Sequence, residues 1–351
     1  MSLNKTIGIL GGGQLAKMLA IAAANLGFNI NIYCPDRDCP AAQVANKVIF
    51  GNYDDPENLV AFAKNVDILT YEFENIDTKA LEELDQQVEI RPSIKALKIS
   101  QDRYTEKSYL NSLGIKTTQF YKIDSVADIE KLLNRLKKPI LIKTRRLGYD
   151  GKGQVLIKNQ DDINQYFLGK SLAPSITEEV ISFDRELSVI IVRDKKGNIK
   201  AFEPGENVHE HGILLTTTLP TSTSEVLKNN ATIIAKKIVD DLGYIGVMGV
   251  EFFLKGQELY VNEIAPRVHN SGHWTMDGSY SSQFQQHIRA IMDLPLLSTE
   301  RHSDVIMYNL IGTVTSNLVN NELAKVYIYG KKDVLPGRKM GHVNLIKKKG
   351  S

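Results

Sequence analysis

Short apolar runs alternate with amphipathic stretches over the first third of the chain. Residues 6–10 form a β-branched apolar run, Gly11–Gly13 interrupts it, and residues 14–26 carry helix-forming apolar side chains up to Gly27. The pattern predicts a strand, a tight turn and a helix. Further apolar runs at 29–33, 47–50 and 67–71, with a helical stretch at 56–64, predict a doubly wound parallel sheet over residues 1–98. From Ser100 the texture changes. Apolar positions at Tyr104, Leu110 and Leu113 before a Gly114 stop predict a helix, followed by strands at 140–143 and 155–157. Strands at 187–192, 249–254 and 258–262, a helix over 226–242, and hairpin turns at 195–198 and 255–257 predict a mixed α+β body. Runs at 305–311 and 326–329 predict a small strand-rich end piece over 296–351.

Length and composition narrow the function classes. At 351 residues the chain exceeds a usual single core, and its 42% hydrophobic and 24% charged content is that of a soluble globular protein. With 43 basic and 41 acidic side chains the net charge is +2, so no overall field favours a nucleic acid. The basic groups that matter are local, at 143–146, 331–332 and 338–339, whereas Lys347–Lys349 reads as a solvated tail. Cys34 and Cys39 are too few for a disulfide framework or a structural zinc site, which fits a reducing cytoplasm. No run approaches the ~18 apolar residues of a membrane span, and the chain opens into a strand, so neither a membrane span nor a signal peptide is expected.

Four segments carry chemistry. Gly11-Gly12-Gly13-Gln14-Leu15-Ala16 has the spacing of a turn whose amides approach an anion at a helix N-terminus. With Asp36 after the next strand, it admits a nicotinamide-dinucleotide dehydrogenase; as plain structure, it is a tight turn. Lys143 precedes Gly148-Tyr149-Asp150-Gly151-Lys152-Gly153-Gln154, a strand-borne cation before a glycine-rich loop, which suits a triphosphate but is not a Walker loop. The bland reading is a basic hairpin. Glu178-Glu179-Val180-Ile181 and Glu186 read as an extended hinge that meets an adenine edge and ribose hydroxyls, or as solvated charge. Glu251 and Glu263 each interrupt an apolar strand, and two such carboxylates imply a shared cation or an arginine. Oxygen ligands facing polyphosphate point to Mg²⁺, with Asn262 completing the set; the alternative is a structural pair with Arg267. The run Arg267-Val268-His269-Asn270-Ser271-Gly272-His273-Trp274 reads as a substrate site in which His269 and His273 hydrogen-bond rather than ligate zinc. Residues 336–342 are turn-like and basic, suited to a phosphate monoester.

Lys143, the glycine loop, Glu178 to Glu186 and the Glu251/Glu263 pair, in that order, resemble the ATP-grasp superfamily. Residues 11–15, Tyr71-Glu72-Phe73-Glu74-Asn75-Ile76, Gln101-Asp102-Arg103, 148–154, 265–275 and 337–342 resemble, within it, the N5-carboxyaminoimidazole ribonucleotide synthases, over nearly the whole chain. The resemblance implies a Rossmann-like N-terminal domain at 1–98, an ATP-grasp region at 99–295 with a lid at about 100–180, and an end piece at 296–351. It implies ATP between two antiparallel sheets, contacted by Arg103, Lys143, residues 148–154, Glu178, Glu179, Val180, Ile181, Glu186, His209, Asn262 and Glu263. It further implies Mg²⁺ on Glu251 and Glu263. Aminoimidazole ribonucleotide would meet Gln14, Leu15, Glu74, Asn75, Tyr149, Asp150, Arg267, His269, Asn270, Lys331 and Arg338. The implied catalytic set is Asp150, Lys331 and Arg267, with the family's active-site lysine falling at Lys331 or Lys332. A cytoplasmic homodimer is implied as well.

The reaction so implied joins bicarbonate to the substrate's exocyclic amine through carboxyphosphate, with Asp150 accepting the amine proton. Rival readings are a formate-dependent glycinamide ribonucleotide transformylase, a biotin carboxylase, and a nucleotide-binding sensor without catalysis. An intact set of lysine, loop and paired carboxylates argues against the last.

Overall fold

The computed structural model describes residues 4–148, 151–168, 171–315, 317–348 and 350. Strands β1 (Thr6–Leu10), β2 (Asn29–Cys34), β3 (Lys47–Phe50) and β4 (Ile68–Tyr71) make a parallel sheet in the order β3-β2-β1-β4. Helices α1 (Gln14–Ala24), α2 (Pro56–Ala63) and α3 (Thr78–Asp85) belong to this layer. The strands are nearly continuous apolar runs because both faces are covered: Ile7, Ile9, Ile30 and Ile32 pack with α1, while Leu10, Tyr33 and Leu69 pack with α2 and α3. The expected doubly wound start is present.

Helices α4 (Ile94–Ser100) and α5 (Arg103–Ser112) lead out of that sheet. Asp102 starts α5, its carboxylate accepting from the amides of Tyr104 and Thr105 at 3.0 and 3.2 Å. A small antiparallel sheet follows, with β5 (Phe120–Ile123), β6 (Ile140–Thr144), β7 (Gln154–Ile157) and β8 (Ser175–Glu179) in the order β5-β8-β6-β7. Helices α6 (Val126–Leu136) and α7 (Gln160–Phe167) close its core of Ile129, Leu132, Ile140 and Ile157.

The third sheet is antiparallel throughout. It contains β9 (Arg185–Arg193), β10 (Ile199–Ala201), β11 (Gly205–Glu210), β12 (Ile213–Leu219), β13 (Gly246–Lys255), β14 (Glu258–Ala265), β15 (Ser303–Ile311), β16 (Ala324–Ile328) and β17 (Lys339–Lys348). Their order is β14-β13-β9-β11-β12-β15-β17-β16, with β10 on β9. Helix α8 (Glu225–Asp241) packs Leu227, Ala231, Ala235 and Ile238 on one face.

The strand-rich end piece continues the large sheet, since β15 pairs with β12 from Thr216↔Tyr308 to Leu219↔Val305. Most of the 336–342 segment, expected to be turn-like, instead enters β17, because β15 and β16 pair with it on both sides. Residues 178–179 are the extended end of β8, with β5 and β6 paired on either side of that strand. Among the described residues, no helix is long and apolar enough to cross a membrane.

Candidate active site

The small and large antiparallel sheets and the C-terminal ends of the parallel strands face one cleft of about 1010 Å³. Of the predicted residues, Gln14, Leu15, Glu74, Asn75, Arg103, Lys143, Gly148, Gly151, Lys152, Gln154, Glu186, His209, Glu251, Asn262, Glu263, Arg267, His269, Asn270, Lys331 and Arg338 line it. Gly153, Glu178, Glu179, Val180 and Ile181 do not, and Tyr149 and Asp150 lie outside the described residues.

The glycine loop is the connection of a hairpin: Lys143 pairs with Gln154, and the Thr144 amide donates to Gly153 O at 2.8 Å. The hairpin of the bland reading is therefore present. Gly151 and Gly153 have φ of +76° and +75°, and a Cβ on Gly153 would stand 2.5 Å from Thr144 Oγ1, so the turn demands glycine. Arg145 and Arg146 bind Asp102 at 2.6 and 3.6 Å, which ties the base of the loop to the start of α5.

The Glu178 side chain turns away from the cleft. Its carboxylate is buried, meets Lys143 at 3.1 Å and Lys107 at 3.4 Å, and accepts from Thr118 Oγ1 at 2.7 Å. Burial opposes its charge, but Lys143 and Lys107 outweigh that and bring it down to about 2. Burial pulls Lys143 below the ordinary lysine range, and Glu178 acts against that fall. Glu178 thus holds the cleft's lysine in place. Glu179 instead pairs with Lys138 at 2.6 Å, and Val180 points to solvent.

Glu251 and Glu263 are direct cross-strand partners on β13 and β14, and a bulge follows between Glu251 and Phe252. Two carboxylates facing each other repel. Burial and the Glu263 charge push Glu251 above the ordinary carboxylate range, whereas at Glu263 burial is outweighed, chiefly by Arg103 and with Lys143 adding to it, and its value falls. Arg103 contacts Glu263 at 3.3 Å. Arg267 pairs instead with Glu74 at 2.6 Å, so the alternative of a structural pair between Arg267 and one of these glutamates does not form. Asn262 Nδ2 donates to Glu251 at 3.4 Å, while its buried Oδ1 has no partner. Among the described residues no three His, Cys, Asp or Glu side chains converge as a metal cluster. Two carboxylates and an unpaired amide oxygen suit a hard cation that keeps water and takes phosphate oxygens.

At the other end, Arg267 Nε and both amide atoms of Asn270 are buried without partners. Such groups persist where a ligand satisfies them. His269 Nδ1 contacts Ser271 Oγ at 2.8 Å and Nε2 lies 3.7 Å from Glu251; burial and then Arg267 push the ring down to about 3, so it is neutral. His273 is buried on Gln283 at 3.2 Å, away from the cleft. His209 Nδ1 meets Glu186 at 2.5 Å. Lys331 reaches the cleft and donates to Lys339 O at 2.6 Å, whereas Lys332 pairs with Asp38 at 3.5 Å on the surface.

The amides of the Gly11–Gly13 turn are occupied by the protein's own carboxyl group, which burial pushes above the ordinary carboxylate range. The Glu72 carboxylate accepts from the Gly13 amide and from the Ala16 amide, the latter at 2.7 Å. A Cβ on Gly13 would lie 2.8 Å from Glu72 Oε1. Asp36 faces Asp38 N at 2.9 Å outside the cleft, so the dinucleotide reading loses both its pyrophosphate cradle and its ribose acid. The sequence pattern contains Glu72 within a motif but gives it no role. It also gives none to Glu106 and the stacked rings of Phe183 and Phe253, 4.6 Å apart, of which all three residues line the cleft. Glu106 is hidden in an amphipathic helix, and its burial, with the Glu263 charge, pushes it up to about 8.

The sequence matches three families: the ribonucleotide synthetase preATP-grasp domain over residues 4–101, the ATP-grasp domain over 108–284, and the phosphoribosylaminoimidazole carboxylase C-terminal domain over 305–351. It is 46% identical to the N5-carboxyaminoimidazole ribonucleotide synthase of Brucella melitensis, across 98% of this chain and 97% of that one. The Bacillus subtilis synthase is 40% identical across 97% and 91%. The fold superposes on the Aspergillus clavatus synthase in complex with ADP and 5-aminoimidazole ribonucleotide with a TM-score of 0.92 at 32% identity, across 99% of this chain and 95% of that one. The cleft, its lysine and its paired carboxylates therefore sit in an ATP-grasp enzyme, and the chain belongs to the N5-carboxyaminoimidazole ribonucleotide synthase family.

Proposed function

We propose that the chain uses ATP and bicarbonate to carboxylate the exocyclic amine of 5-aminoimidazole ribonucleotide, releasing ADP and phosphate in purine biosynthesis. One observation carries the reading: Lys143 and the Glu251/Glu263 pair share a single cleft with Arg267, Asn270, Lys331 and Arg338. Phosphoryl chemistry and a phosphorylated acceptor thus meet without a barrier. Residues 1–98, 99–295 and 296–351 are its working parts, in a cytoplasmic homodimer.

In the first step a bicarbonate oxygen forms a bond to the γ-phosphorus while the bond to the ADP oxygen breaks, giving carboxyphosphate. Lys143 and the loop amides of Gly148 and Gly151–Gln154 face the charge that spreads over the equatorial oxygens. Glu251, Glu263 and the unpaired Asn262 Oδ1 would hold Mg²⁺, which supplies positive charge to the phosphate oxygens when bound. Carboxyphosphate then breaks its C–O bond to release CO₂ and phosphate. The amine nitrogen bonds to that carbon, and its proton passes to a base, the role assigned to Asp150. Arg267, locked by Glu74, orients the acceptor with Asn270, while Lys331 and Arg338 face its phosphate. Closure of the loop over these groups keeps water from the carboxylated phosphate.

ADP formation with aminoimidazole ribonucleotide and bicarbonate, against glycinamide ribonucleotide and formate, tests the reading. Turnover is expected only with the first pair; turnover with the second overturns it. Asp150→Asn should bind ATP normally and slow carboxylation, and unchanged phosphate release would remove Asp150 from its role.

A further inference from the structure

Strand β14 ends the large sheet; the 116–117 segment bridges its outer edge at Val261, whose amide donates to Lys116 O at 2.8 Å, but beside Glu263 itself, on the side away from β13, no strand pairs. Two consecutive residues of α5 take that place. Glu106 Oε1 accepts from the Ile264 amide at 2.8 Å, and Lys107 Nζ donates to Asn262 O at 3.2 Å. These are the backbone groups immediately before and after Glu263. Both side chains are buried, at 2% and 0% exposure, which is costly for charged residue types without a purpose or close partners. Lys107 also reaches Thr118 at 3.3 Å and Glu178 at 3.4 Å, and Glu178 holds Lys143. One turn of helix therefore touches both the strand bearing Glu263 and the carboxylate that anchors the cleft's lysine.

We propose that Glu106, acting with Lys107, is a positioning residue that clamps the backbone on either side of Glu263 and sets its carboxylate against Glu251. The inference rests on the metal reading of that pair and goes beyond it, because it assigns the geometry of the pair to a helix that contributes no ligand. An edge strand rotates and frays more readily than an interior one, and a carboxylate that must share a small octahedral cation tolerates little rotation. What Glu106 supplies is the reach of a hydrogen-bond acceptor rather than a charge.

Two variants separate reach from charge. Glu106→Gln keeps an acceptor at the same distance and cannot ionise; Glu106→Asp keeps an ionisable carboxyl group one carbon short of Ile264 N. The readout is ADP affinity by calorimetry, with and without Mg²⁺, in the full chain, together with the thermal midpoint of each variant. The wild-type chain should bind ADP more tightly with Mg²⁺. E106Q should keep that gain to within about twofold, while E106D loses roughly tenfold of it and binds metal-free ADP as the wild type does. An E106D gain equal to wild type overturns the clamp, as does an E106Q loss as large as that of E106D. A metal-free affinity that falls in step with the metal-bound one overturns it too, since that marks general damage. A wild-type chain with no Mg²⁺ gain defeats the metal reading and the clamp with it, a result distinct from a gain that E106D leaves intact.

Discussion

Replacing Glu178 by glutamine tests how the cleft's lysine is held. The carboxylate is 2% exposed between Lys143 and Lys107, and these two cations lower it from 4.5 to about 2 although burial works the other way. At ~1.36 kcal/mol per pH unit, that depression corresponds to about 3 kcal/mol of folded-state stabilisation at neutral pH, in the range measured when a buried ion pair loses one partner. Because the folded value lies below the ordinary one, the stabilisation is complete above about pH 4.5 and disappears as pH falls through about 2. Urea denaturation of the wild type and Glu178→Gln at pH 7, 5, 4 and 3 should therefore show a gap at pH 7 that narrows by roughly 2 kcal/mol as pH falls from 4.5 towards 3 and below. Lys143 would also lose the carboxylate that opposes its desolvation, so ADP affinity should fall at neutral pH. A gap below about 1 kcal/mol at pH 7, or one that does not change down to pH 3, refutes the argument.

Lys331→Met should lower carboxylation by about tenfold or more, whereas Lys332→Met should stay within about twofold, because Lys332 only meets Asp38 on the surface; steady-state kinetics distinguish them. Gly11→Ala places a methyl group against the Glu72 side chain at φ +119° and should cost at least about 2 kcal/mol in thermal unfolding. Glu251→Gln should abolish the Mg²⁺ dependence of ADP binding while leaving metal-free binding intact. Its loss of metal affinity should exceed the roughly tenfold typical of an outer partner. Calorimetry with and without Mg²⁺ measures it.

The chain's local pattern was enough to place β1 and α1, the hairpin of β6 and β7, and the carboxylate strands β13 and β14, because apolar periodicity and glycine position act over a few residues. The order of lysine, loop and paired glutamates was likewise legible as a family pattern. Strands β11 and β12 were not, since they carry mixed polar residues such as Asn207 and Thr217 whose burial depends on neighbouring strands.

By itself the sequence determined which chemical groups exist and what local elements carry them. Tertiary structure decided who meets whom. Glu72, 59 positions from Gly13, fills the turn that a dinucleotide would need; Arg267 chooses Glu74 over the glutamates nearer in sequence; Glu178 turns inward to two lysines; and Lys331 rather than Lys332 enters the cleft. The physical reason is that ion pairing and desolvation depend on distances through space, which local periodicity does not encode.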